Sequence, residues 1–234
     1  MALILNIDCS TETASVSIAE KGVVLLRLIN NDQKDHASWI HRSIRDLLAN
    51  ASLELNELHA IAVTAGPGSY TGIRVGMASA KGLAYALSVP LITENTLRVM
   101  AWSKRSELFG QGDAGGITKS GDFCYAPMID ARRDEVFTGI YGPDLSELIA
   151  PKAIKLDQHA FEEELVKNRI IFFGSGSDKW KTIKNHQNAH FQNWDYAYFN
   201  LAYLAYQSYL DKAFADLAYV TPYYLKEVYT YKKN

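Results

Sequence analysis

Residues 66–76, GPGSYTGIRVG, combine glycines, hydroxyl side chains and the start of a helix, a grouping that suits anion binding. The apolar run AIAVTA (60–65) leads into them, and a helix of small residues follows to Leu87. Two phosphate-binding patterns can be tested directly. A Walker A loop needs G-x-x-x-x-G-K-[ST], but Thr71 stands at its second glycine and no Lys-Ser/Thr pair follows. A dinucleotide fingerprint needs G-x-G-x-x-G; Gly66 and Gly68 fit, and the third glycine arrives one residue late at Gly72. Neither assignment holds. The glycines have a second use: Gly72, Gly76, Ala80 and Ala84 fall four apart, as do Ala78, Gly82 and Ala86, so each set forms a stripe of small side chains along one helix face. Such stripes admit close backbone packing, which offsets a helix-propensity cost of up to about 1 kcal/mol per glycine. Ser69 or Thr71 is placed to cap the helix.

Other residue groupings carry less. His36 and His41 are five apart, about 140° around a helix, and point to different faces. His186 and His190 have ligand-like spacing but lie in the polar run KNHQNAHFQNW, which reads as a solvated loop. Arg132 and Arg133 offer cations for phosphate, with Asp134 and Glu135 beside them cancelling the charge, as expected of a hairpin turn in water. Tyrosines at 196, 198, 203, 206 and 209 interleave with Ala and Leu and read as a half-buried face rather than a base-stacking platform. Cys9 and Cys124 sit in apolar runs, as buried thiols rather than a disulfide framework.

The elements that must position these groups repeat. Of the 234 residues, 48% are hydrophobic and 21% charged, which suits a folded chain, and the net charge of −2 gives no electrostatic reason to bind nucleic acid. The opening MALILNIDCSTE is not a signal peptide, and the longest apolar run, GVVLLRLI, is far below a membrane span, so a cytoplasmic protein is expected. Strands are expected over 2–8, 13–19 and 22–29, then a helix over 36–51 carrying Ile40, Ile44, Leu47 and Leu48 on one face. A strand at 60–65, a helix at 70–87, a strand at 90–94 and a helix at 96–109 complete the first unit. Residues 110–121, GQGDAGGITKSG, read as a linker or mobile loop. The pattern then restarts: YAPMIDARRDEVFTGIYG at 125–142 repeats the layout of LILNIDCSTETASVSIAEKG at 3–22, with Asp130 matching Asp8. An acidic helix at 157–168, a strand at 170–174 and a helix at 200–213 follow. Two α/β domains with mixed sheets are therefore expected, over 1–109 and 110–234.

Taken in order, these segments resemble the TsaB (YeaZ) family. GPGSYTGIRVGMASAKGLAYAL is similar to the family's signature loop and helix, ILNIDCSTETASVSIA to its opening, MIDARRDEVF to its Asp-Ala-Arg-Arg segment, and VTPYYLK to its close. Departures are mild: Cys9 for the usual Thr, Tyr70 for Phe and Lys226 for Arg. The resemblance implies two RNase H-like (actin-like ATPase) domains and a non-catalytic role beside the paralogue TsaD, which transfers threonylcarbamoyl to a tRNA adenosine next to the anticodon. Partners implied are TsaD and the ATPase TsaE, with ATP used by the complex, a homodimer when TsaD is absent, and tRNA reached only through the complex. TsaD carries a His-x-x-x-His metal motif; Thr96 and Met100 occupy those positions here, so the resemblance implies no metal. It also implies that a nucleotide cleft, if kept, would use Asp8, Asp130 and the turn with Gly174 and Gly176, from FFGSGSDKW. No cofactor is assigned to the chain itself. The contact with TsaD is expected on the helix stripe Gly72, Gly76, Ala80 and Ala84 with Trp39 and Tyr85. Two rival readings are a small-molecule kinase or ATPase of the same superfamily, marked by magnesium-dependent ATP binding, and a metallopeptidase, marked by a stoichiometric metal.

Overall fold

The computed structural model describes residues 2–32, 35–110 and 123–226. The glycine-rich stretch read as a linker, apart from Gly110, and the basic terminal YKKN lie outside the described residues.

The first half opens on β1 (Leu3–Asp8), β2 (Ala14–Glu20) and β3 (Val23–Asn30), an antiparallel meander. The helix α1 (His36–Ala51) follows, then β4 (Ala60–Gly66), α2 (Tyr70–Leu87), β5 (Leu91–Asn95) and α3 (Thr96–Phe109). β4 and β5 add in parallel, giving the order β3-β2-β1-β4-β5. Central strands β1 and β4 are covered on both faces, which is why they read as continuous apolar runs rather than alternations. α1 and α2 cover one face; Ile40, Ile44, Leu47 and Leu48 of α1 join Met77, Ala80 and Ala84 of α2 over β1, β2 and β4.

The second half repeats the plan. Strands β6 (Phe123–Asp130), β7 (Glu135–Tyr141) and β8 (Glu147–Lys155) form the meander. They are followed by α4 (Glu162–Lys167), β9 (Arg169–Phe173), α5 (Ser177–Lys181) and β10 (Ala189–Phe191), in the order β10-β9-β6-β7-β8. Antiparallel β6-β7-β8 and parallel β6-β9-β10 reproduce the connectivity of the first sheet. The expected duplication of hairpin-first α/β units is therefore present in the topology.

Two expected elements change length, and β8, α5 and β10 were not anticipated; β10, with His190 in it, pairs with β9 inside the run read as a solvated loop. The acidic helix begins only at Glu162, because Asp157 turns the chain by accepting the His159 amide at 2.9 Å and Phe161 takes a left-handed φ of 59°. The last helix, α6 (Ala202–Leu210), is shorter than expected. β8 had no counterpart in the sequence reading: it is largely exposed, carries Pro151 and shifts register against β7.

One core cluster serves both halves. α3 is buried nearly all round between the two sheets, and its Leu97, Val99 and Trp102 pack with Ile4 and Ala62 on one side and Tyr125, Ile171 and Phe173 on the other. α6, although late in the chain, packs on the first sheet. The chain beyond it stays there: the Ala215 amide donates to Leu91 O at 2.8 Å and the Tyr223 amide to Ala65 O at 2.7 Å. The tail then reaches the second sheet through an ion pair between Lys226 and Glu135. Among the described residues, no helix is long and apolar enough to cross a membrane.

Candidate functional site

The glycine loop joins β4 to α2 and lies on the β1–β2 turn. The Ser69 amide donates to Ser10 O at 2.7 Å, and Ser69 Oγ caps α2 by accepting the Gly72 amide at 3.3 Å. A Cβ at Gly68 would sit 1.9 Å from Ser10 O, and one at Gly72 2.0 Å from Cys9 O. Those two glycines exist so that the loop and helix can press on the chain's own hairpin backbone. The loop amide that would face a phosphate in a P-loop is here bonded to a carbonyl.

The stripe on α2 requires a correction. Gly72, Gly76, Ala80 and Ala84 are all buried against the first sheet, with Gly76 at van der Waals distance from Cys9 and Val63. They do not face outward. The second stripe does: Ala78, Gly82 and Ala86 are exposed, and nothing lies within 4 Å of a Cβ built on Gly82. Tyr85, 79% exposed, stands beside them, while Trp39 is half-buried on the α1 side.

Asp8, a candidate for the nucleotide cleft, is 2% exposed and fully engaged. Its Oδ1 accepts from Ser10 Oγ at 2.6 Å, the Ser10 amide at 3.1 Å and Thr64 Oγ1 at 2.5 Å, and its Oδ2 accepts from the Tyr196 hydroxyl. Burial, followed by the negative charge of Asp8, pushes the Tyr196 hydroxyl far above its ordinary value, so it stays a donor. Arg27 holds the same segment, donating to Phe199 O at 2.5 Å and to Tyr196 O at 3.0 Å. A carboxylate sealed by four donors of its own chain is not free to bind a magnesium-nucleotide. Thr64 and Arg27 were missed by sequence reasoning, and Tyr196 was read only as part of a half-buried face; the signal for its role is long-range proximity, 188 positions apart for Asp8 and Tyr196.

Asp130 differs. It sits exposed at the end of β6, pairs with Lys179 at 2.6 Å and accepts the Arg132 amide at 2.7 Å. Partial burial opposes its charge, but the Lys179 hydrogen bond, the Arg132 amide and the charges of both residues hold the carboxyl below its usual value. Gly174 and Gly176 belong to the turn after β9: a Cβ at Gly174 would meet Met128 O at 2.4 Å, and the Gly176 amide donates to Met128 O at 3.0 Å. Their role here is the close packing of that turn on β6. The structure therefore brings Asp130 and the turn together, through a bond from the Asp130 amide to Ser175 Oγ at 3.1 Å, and leaves Asp8 apart from them.

Between the halves lies a cleft of about 770 Å³. The first turn of α2, Glu12 and His36 border it from the first half, and Asp130, Arg132, Phe137 and Ser175 from the second. Thr96 and Met100, at the positions of the paralogue's histidines, are buried in the core cluster side of α3. His36 borders the cleft whereas His41 bonds to Ser79 at 3.2 Å, so the two do diverge. His186 accepts the Asn188 amide, and His190 packs edge-on to Phe123 with its basicity lowered by burial and then by Arg169. Among the described residues, no three His, Cys, Asp or Glu side chains converge as a metal site requires.

Two hairpin-first α/β units, each with a mixed five-stranded sheet, have the topology of paired RNase H-like domains. The profile of the family described as "TsaD: tRNA N6-adenosine threonylcarbamoyltransferase" matches residues 24–233, and the chain belongs to that family. Within it the resemblance is to the TsaB, or YeaZ, members. The Haemophilus influenzae "tRNA threonylcarbamoyladenosine biosynthesis protein TsaB" is 28% identical over 242 residues, covering 98% of this chain and 96% of that one. The Escherichia coli protein of the same name is 33% identical over 141 residues, 60% of this chain and 55% of that one; this match, like that to Bacillus subtilis at 54%, spans about half of the relative. In structure, YeaZ from Pseudomonas aeruginosa superposes with a TM-score of 0.75 at 24% identity, covering 96% of this chain and 100% of that one.

Proposed function

We propose that this chain is a non-catalytic subunit of the machinery that installs threonylcarbamoyl on the tRNA adenosine beside the anticodon. It binds the catalytic TsaD-type subunit, keeps it active and helps recruit the ATPase TsaE. Full-length similarity to a protein named for this biosynthesis supports the pathway. The observation that carries the non-catalytic role is the state of Asp8, taken up by the chain's own hydroxyls.

The contact with TsaD runs over the outer surface of α1 and α2. Ala78, Gly82 and Ala86 let a partner helix approach closely, Tyr85 supplies an exposed aromatic anchor and Trp39 borders the patch. The same surface pairs two copies of the chain when TsaD is absent, and tRNA is reached through the complex. ATP acts at the other subunits.

The test is a reconstituted tRNA modification assay with TsaD, TsaE, ATP and the threonylcarbamoyl-adenylate precursors, run with and without this chain. A Gly82→Leu variant belongs beside it, because open space at Gly82 means the larger side chain blocks a partner without disturbing the fold. The expected result is modification that depends on this chain, and a folded Gly82→Leu protein that no longer co-purifies with TsaD. Equal modification without the chain would sink the proposal.

A further inference from the structure

Asn6 lies in the middle of β1, between Leu5 and Ile7, and is 2% exposed. Its Nδ2 group donates to Ile4 O at 3.2 Å and to Ser17 O at 3.5 Å, and those two carbonyls fix which way the amide is turned. Oδ1 lies on the other side of the group, and no protein atom donates to it. A buried amide oxygen without a donor has lost the hydration it had in the unfolded chain, so native structures nearly always complete it. Asn6 borders a small cavity of about 10 Å³. Ser17 and Arg27 border it on the same side, and residues 199–201, which lead from the second half into α6, close it from the other. Among the described residues, Ser17 Oγ makes no bond, and Asn200 spends its Oδ1 on the Ala202 amide at 3.0 Å while its Nδ2 makes none.

Size, charge and polar lining together select the occupant. A buried water needs about 10–15 Å³ and two to four polar partners, and this cavity offers space for one molecule and three side-chain groups to meet it. Two charged groups also border it, Asp8 and Arg27. The first repels an anion and the second a cation, so a neutral molecule is favoured over an ion of either sign. We infer that the cavity binds one water molecule, which donates to Asn6 Oδ1 and bridges it to Ser17 and Asn200. The water completes the joint at which the returning segment 199–201 lies on the first sheet, beside the bonds that Arg27 makes to Phe199 O and Tyr196 O. The cavity and the interlobe cleft have no bordering residue in common, and none of its residues lies on the outer surface of α1 and α2. The inference and the scaffold role can therefore fail separately.

The test is a high-resolution crystal structure of the full chain, with a second crystal soaked in a rubidium salt. The expected result is a single density peak in the cavity, within hydrogen-bond distance of Asn6 Oδ1 and of Ser17 Oγ or Asn200 Nδ2, and no anomalous signal there after the soak. A cavity without density overturns the inference, and so does a rubidium signal at that position, which would identify a cation. In Asn6→Val the amide is replaced by an apolar side chain that suits a strand, and the peak should be lost. A peak that persists undiminished in Asn6→Val shows that Asn6 does not hold the molecule, and overturns the inference as well. Should Asn6→Val fail to fold, nuclear Overhauser transfer from water to the side-chain amide protons of Asn6 in the parent decides. Transfer with the sign of a water that tumbles with the protein supports the site, and its absence overturns it.

Discussion

Asp8 and Asp130 occupy matching positions, each closing the first strand of a hairpin in a duplicated unit, yet their environments are opposite. Asp8 is enclosed, bonded to Ser10, Thr64 and Tyr196, with the last coming from the far end of the chain. Asp130 is exposed, faces the cleft and pairs with the neighbouring Lys179. The same strand-end carboxylate has become a structural clamp in one half and remains a surface charge in the other. A fold that moves its lobes around a ligand needs both hairpins free; here the first is tied, through Tyr196 and Arg27, to the segment that leads from the second half into α6.

The sharpest way to break this comparison is to remove the two carboxylates separately. Asp8→Ala leaves three hydroxyls and an amide without their acceptor in the interior, and should lower stability by about 4 kcal/mol in denaturant unfolding. Tyr196→Phe removes one donor and should cost about 1–2 kcal/mol. The sign with pH follows from the raised hydroxyl of Tyr196: its contribution is complete below the ordinary tyrosine value of about 10 and is lost as pH rises beyond it. The parent should therefore lose stability in alkali faster than Tyr196→Phe. Equal stability of Asp8→Ala and the parent would mean that Asp8 is not a clamp.

The glycines sharpen the same contrast. A methyl at Gly68 would collide with backbone, Ser10 O at 1.9 Å, so Gly68→Ala must displace the loop or the hairpin and should cost about 3 kcal/mol. At Gly176 the nearest atom, Val136 Cγ1 at 2.5 Å, belongs to a side chain that can turn away, so Gly176→Ala should cost clearly less. Gly76→Ala meets only ordinary contacts, and Gly82→Ala meets none. Both should be neutral or stabilise by up to about 1 kcal/mol through helix propensity. Thermal unfolding of the four variants gives the order; a tolerated Gly68→Ala would remove the packing account of the loop.

How much of this could be read beforehand depended on the range of the interaction. α1, α2 and α3 were legible in place and approximate extent, because apolar periodicity and a capping hydroxyl at Ser69 or Thr71 are local signals. The two small-residue stripes of α2 were legible as stripes, but not which one faced the sheet: alanine and glycine carry almost no hydropathy contrast, and the choice is made by Cys9 and Val63, distant in sequence. β8 was missed because it is mostly exposed and interrupted by Pro151. At the candidate site, Asp8 was found as a strand-end carboxylate, but only one of its partners was legible. Asp-x-Ser announces the Ser10 bond, whereas nothing near Thr64 or Tyr196 announces theirs. His36 was considered only as a metal ligand paired with His41, and its enclosure at a cleft is a tertiary fact.

The smallest expected effect lies at Asp130. Its carboxyl is held below the ordinary value, so the folded state favours its charged form; that contribution is present above about pH 4 and is lost as pH falls through the lowered value. Both partners of the Lys179 pair are a third or more exposed, and water screens them, so Lys179→Ala should change stability by less than about 1 kcal/mol. The informative quantity is the difference between acid and neutral pH. If Asp130 is only a surface charge, Lys179→Ala should lose its small deficit in acid, where the carboxyl is neutral in both proteins. A deficit that persists undiminished in acid would mean that Lys179 supports the β6–β7 turn by packing rather than by charge, and the second hairpin would then be clamped as well, by other means than the first.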